Sequence, residues 1–144
     1  MTDRDYKKCP GLARTALLVL LAAALFGPVP LGAGPREDRI TLATLKRVEA
    51  VARREPSLDK FGRSTLQESA VLLDLSTQAV PGLLKHLRAK RTDWKARFWA
   101  VDMLGYVGDA RAAGRLRGIA SNRGEKALVR ERAKRALKEI ADRR

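Results

Sequence analysis

The 144-residue sequence holds one cysteine, one histidine and only 5% aromatic residues, and each shortage removes a class of chemistry. Cys9 precedes the apolar segment, so whatever is exported behind that segment has no thiol. Disulfides, cysteine–zinc sites and a cysteine nucleophile are thereby excluded from it. Cys9 is not placed for lipidation either, because the modified cysteine of a bacterial lipoprotein follows its hydrophobic run. His86, between Lys85 and Leu87, finds no second imidazole or thiol to complete a metal set and reads as a surface or edge-of-core residue. Extended runs of β-branched and aromatic residues are missing, which predicts no strands. Ser64 and Ser121 fall at helix ends and are better explained as caps than as nucleophiles. No catalytic residue, metal or cofactor is expected.

Hydrophobic residues make up 45% and charged residues 32% of the chain, the composition of a folded domain packed with Ala, Leu and Val. The length suits one domain behind a leader. Arg4, Lys7, Lys8 and Arg14 precede the apolar run Thr15 to Phe26, and Gly27, Pro28 and Pro30 then break it. A positive segment followed by a short apolar core is the pattern of a signal peptide, with cleavage best placed after Ala33. The uncharged stretch from Arg14 to Arg36 is also long enough to cross a bilayer if left uncut. The protein is therefore expected to be exported to the periplasm or exterior, or held to the membrane by residues 15–34. Residues 1–33 are assigned to this signal or anchor, 34–63 to an N-terminal helix and linker, and 64–144 to the main domain.

Helix punctuation organises the remainder. Asp38 is expected to cap a helix reaching Glu55, with Ile40, Leu45, Val48, Val51 and Ala52 on its apolar side. Pro56 and Gly62 mark Ser57 to Arg63 as a linker. Ser64 with Gln67 forms a capping-box pattern ahead of Leu66, Ala70, Val71, Leu72 and Leu75. A further helix covers Ala79 to Lys90 with Pro81 in its first turn. Asp93 and Asp109 can cap the next two, Gly108 ends the first of them, and a last helix runs from Glu125 to Asp142. The expectation is six helices in an all-α fold.

An internal repeat chooses among all-α arrangements. A shift of 33 residues places Arg97 on Arg130, Ala100 on Ala133, Leu104 on Leu137 and Val107 on Ile140. A shift of 32 places Leu72 on Leu104, Leu75 on Val107, Val80 on Ala112, Leu84 on Leu116 and Leu87 on Ile119. Repeats of this period bury their faces mainly against their neighbours, which is the logic of a solenoid. Within Ala96 to Leu116, the residues Arg97, Ala100, Leu104, Gly105, Val107, Gly108 and Asp109 carry a pattern that resembles HEAT-like repeats of the short, phycobilisome-lyase type. Val129 to Ile140 repeats the first-helix half of it. The resemblance implies a short α-solenoid of about two and a half HEAT-like repeats and a binding role. It carries over no lyase residue, because such repeats serve many unrelated binding proteins.

Charge is the remaining global feature. From Gly34 onward 26 Lys and Arg oppose 14 Asp and Glu, and from Lys85 to Arg144 18 oppose 7. Arg130, Lys134 and Lys138 recur every four residues opposite an apolar stripe of Val129, Ala133, Ala136, Leu137 and Ile140. With Lys85, Arg88, Arg111, Arg115 and Arg117 of the second helices, they are the candidate partner-binding set; solvation of a terminal helix accounts for the last-helix cations equally well. Trp99 is expected in the core and Trp94 open to a partner. The expected function is a noncatalytic, exported interaction module for an acidic protein or envelope polyanion. The alternative is nucleic-acid binding through a basic HEAT-like face, which an export signal disfavours.

Overall fold

The computed structural model describes residues 34–89 and 92–143; the expected leader lies outside them. Seven α-helices and one 3-10 turn account for these residues, with no strand among them. They are α1 (Pro35–Arg54), α2 (Leu58–Ser64), α3 (Leu66–Leu75), the 3-10 turn Ser76–Ala79, α4 (Val80–Arg88), α5 (Trp94–Val107), α6 (Ala110–Ser121) and α7 (Ala127–Asp142). Ala33–Arg144 forms one compact unit.

The core runs through all the longer helices. α1 contributes Leu45, Val48 and Ala52, whose spacing keeps them on one helical face. α5 is apolar nearly all round and buries Ala96, Trp99, Ala100, Val101, Met103, Leu104 and Val107, as a helix surrounded by others must. Its broadest packing is with α7, which in turn lies against α6, while α1 packs on α3 and α4. Positions paired by the sequence shifts share burial: Leu72 with Leu104, Val80 with Ala112, Leu87 with Ile119, Ala100 with Ala133 and Val107 with Ile140 are all buried. Leu75, Leu84 and Leu137 are half-buried against that core.

Three expected boundaries are corrected. The presumed linker Ser57 to Arg63 is mostly helix: the Ser57 hydroxyl accepts from Lys60 N at 3.3 Å, and Phe61, 1% exposed, anchors α2 in the core. Gly62 interrupts nothing there, since one glycine costs a helix only about 1 kcal/mol. The capping box at Ser64 is absent because Ser64 is the last residue of α2. Thr65 marks the junction instead, its buried hydroxyl donating to Phe61 O at 3.0 Å and Gly62 O at 3.2 Å. On α3 Leu72 is buried, as expected, while Leu66, Ala70 and Leu73 are exposed. α1 likewise begins before Asp38, which lies in its first turn.

The caps at Asp93 and Asp109 form as expected. Their carboxylates accept from Lys95 N at 2.8 Å and Arg111 N at 2.9 Å. Gly108 ends α5 with its N–H on Leu104 O, and a side chain there would collide with that same oxygen and with Ile140. At Gly105 a side chain would strike Glu139 and Arg132, so the glycine makes room for that ion pair of α7 against α5.

Candidate interaction surface

The basic residues divide into those tied into the fold and those left at its surface. Arg97 is held by Glu125, with Nε to Oε2 at 3.0 Å, and also donates to Leu87 O at 3.2 Å. Arg115 donates to the same Leu87 carbonyl, so two guanidinium groups close the C-terminal end of α4. Lys95 Nζ reaches Glu55 O at 2.5 Å just beyond α1, and Arg143 donates to Gly105 O at 2.6 Å and Gly108 O at 3.0 Å at the end of α5. Carbonyls at a helix C-terminus lack intrahelical donors and carry the negative end of the dipole, so cations are favoured there.

Arg132 is the most enclosed of the arginines in α7. It is 8% exposed and hydrogen-bonds Asp102 of α5 and Glu139, the latter at 2.9 Å. Burial works against its charge, but the bonds to Glu139 and Asp102 prevail and raise the guanidinium pKa above its ordinary value. Its guanidinium carbon also lies 5.7 Å from the centre of the Tyr106 ring. Nothing in the charge periodicity singles out Arg132, although its position within the inward-facing residues of α7 is a signal that an arginine there needs partners.

Of the eight residues in the candidate binding set, three serve the fold in addition to carrying charge. Arg115 seals α4; Arg111 pairs with its own cap residue Asp109 and donates to Thr77 O at 3.0 Å. The Arg111 hydrogen bond holds the Asp109 carboxyl below its usual pKa. Arg130 is half-buried and donates to Glu125 O at 2.6 Å, closing the turn before α7. Lys85, Arg88, Arg117, Lys134 and Lys138 are exposed. Among the described residues only Lys134 of these five has an ion-pair partner, Glu131 at 2.7 Å. The eight are therefore not one patch of equivalent cations.

No family model, curated protein or solved structure matches this chain. Its reading rests on its own residues.

Lys85 and Arg88 border a groove of about 640 Å³ between α1 and α4. Leu42, Leu45, Pro81 and Ala89 give it an apolar lining, with Arg39 and Asp38 on the α1 side. The two helices approach closely where Gly82 meets Thr41, since any side chain at 82 would collide with the threonine methyl. His86 forms part of the wall with only 8% of its side chain exposed, Nδ1 lying 3.6 Å from Glu49 Oε1. Burial lowers its pKa, Glu49 opposing and Arg97 reinforcing the shift, which leaves the imidazole neutral at pH 7. His86 Nε2 and Thr41 Oγ1 are buried without a hydrogen-bond partner among the described residues.

The tryptophans separate as well. Trp99 is buried and donates to Ser69 Oγ at 2.9 Å, while half-buried Trp94 is covered by the Lys126 ammonium 5.1 Å from its ring centre. Among the described residues no group of three or more His, Cys, Asp or Glu could hold a metal, and no helix is long and apolar enough to cross a membrane.

Proposed function

We propose that residues 34–144 form a noncatalytic, HEAT-like interaction module that acts outside the cytoplasm and binds an acidic protein or polyanion through a basic surface. The observation that carries this reading is the set of exposed cations Lys85, Arg88, Arg117 and Lys138, which have no ion-pair partner among the described residues. Exposed charge of one sign attracts anions, and none of these four is neutralised by an ion pair among the described residues. Matched burial at the shifted positions supports the repeat reading, and the basic segment ahead of Thr15 to Phe26 supports export.

Titrating the full-length protein into labelled polyglutamate at rising salt tests the binding half. Affinity is expected to fall steeply with ionic strength. Salt-independent affinity, or no binding at low salt, overturns it. Duplex DNA of similar charge density serves as the competing probe, and a strong preference for DNA would favour a nucleic-acid partner. A fusion to a reporter that is active only outside the cytoplasmic membrane tests export, and a silent reporter on soluble cytosolic protein removes it.

A further inference from the structure

We propose that the groove between α1 and α4 is the docking site for an acidic amphipathic helix of a partner protein. This rests on the basic-surface reading and names the part of that surface where binding is specific. The groove combines an apolar lining from Leu42, Leu45, Pro81 and Ala89 with three cations, Arg39, Lys85 and Arg88, against one carboxylate, Asp38. Leu42 is 50% exposed, an apolar side chain left in water at the mouth of a concave surface. The match called for is a ligand with one apolar face and acidic flanks.

Dimensions favour a helix over a small amphiphile. The lining spans Asp38 to Leu45 on one side and Pro81 to Ala89 on the other, which at 1.5 Å per residue is about two helical turns. A helix laid there presents anchors at i, i+3 or i+4, and i+7, the spacing such grooves read. The groove is a partly open cleft, so a bound acyl chain would keep apolar surface in water. A helix turns its polar face to the opening. Glutamates flanking the anchors meet Arg39, Lys85 and Arg88, and Asp38 penalises a cationic ligand at the same rim.

Stiffness at the groove floor adds to the case. Gly82 against Thr41 fixes the approach of the two helices, and Leu45 is continuous with the buried core. A preformed groove on two packed helices loses little freedom on binding.

Fluorescence anisotropy with full-length protein and three synthetic peptides tests the proposal. The first is an acidic amphipathic helix with leucines at i, i+3 and i+7; the second is its scramble with equal charge; the third replaces its glutamates with lysines. The first is expected to bind at least about tenfold tighter than either other, a difference of about 1.4 kcal/mol. K85E/R88E and, separately, Leu42→Asp should each abolish that advantage, whereas K134E/K138E should weaken the helix and its scramble alike and so preserve the ratio between them. Circular dichroism of the variants checks that they remain helical.

Equal binding of helix and scramble, weakened alike by K134E/K138E, removes the groove and keeps the basic-surface reading. Failure of both acidic peptides to bind at low salt removes both. Tight binding of a fluorescent fatty acid that the acidic helix cannot displace would assign the groove to a lipid and overturn the proposal.

Discussion

Cations and leucines are used differently in the two halves of the compact unit. In α5 to α7 several arginines are tied into the fold: Arg97 to Glu125 and Leu87 O, Arg130 to Glu125 O, Arg132 to Asp102 and Glu139. In α1 and α4, Arg39, Lys85 and Arg88 stand exposed around an apolar groove, and in α3 Leu66 and Leu73 face solvent. The same formal charge thus holds helix ends together at Arg97, Arg115 and Arg143 and remains available at Arg39, Lys85 and Arg88, and also at Arg117 and Lys138. Net charge alone could not distinguish these uses. What separates them is whether a carboxylate or a helix-terminal carbonyl lies within reach.

The sharpest break of that comparison is at the repeat pair Arg97 and Arg130. Arg97→Ala strands Glu125, whose side chain is only 9% exposed, and is expected to cost about 3–5 kcal/mol in urea unfolding. Arg130→Ala loses only bonds to carbonyls at the protein surface, and about 1 kcal/mol is expected. Equal losses would show that the two arginines are structurally equivalent after all. Next in size is Leu104→Ala, at about 2–5 kcal/mol for a fully buried leucine, against no more than about 0.5 kcal/mol for Leu66→Ala. A large loss at Leu66 would mean that the exposed face of α3 is covered in solution.

A subtler difference is expected with pH. The His86 pKa is lowered in the folded protein by burial, with Arg97 adding to the shift and Glu49 opposing it. The unfolded chain therefore binds a proton more readily near its ordinary value of about 6.5. Stability contributed by neutral His86 is complete above that value and is lost as pH falls toward the folded-state pKa. The urea midpoint should be lower at pH 5 than at pH 7.5, and the difference should shrink in His86→Gln. An unchanged difference would assign the pH response to carboxylates. The smallest effect is expected for K134E/K138E, which should change stability by about 0.5 kcal/mol or less because both side chains are exposed.

Much of the fold was legible because helices announce themselves by caps and periodicity. Asp93, Asp109 and Gly108 stand where their chemistry placed them, and the shifted leucines of α5 and α7 lie against the core. The region around Ser57 to Ser64 was misread because Pro56 and Gly62 looked like breaks, whereas burial of Phe61 outweighs a glycine's cost. Which face a short helix buries is decided by its neighbours, and in α3 they leave Leu66 and Ala70 exposed. The exposed cations of the surface could be named in advance. Their division could not, because Glu125 for Arg97, Leu87 for Arg115 and Asp102 for Arg132 each lie 28 to 30 residues away in sequence. The groove was equally hidden, since it arises only when Gly82 of α4 settles against Thr41 of α1.

The cation-to-carbonyl ties between elements share a direction. Lys95 reaches back to Glu55, Arg97 and Arg115 to Leu87, Arg111 to Thr77, and Arg143 to Gly105 and Gly108. In each, the donor is made later than the carbonyl it closes. A ribosome synthesises the amino terminus first, so α1, α4 and α5 each emerge with an open end whose seal has yet to be translated. Arg143 follows Gly108 by 35 residues, so the closure of α5 waits until all of α7 has been translated.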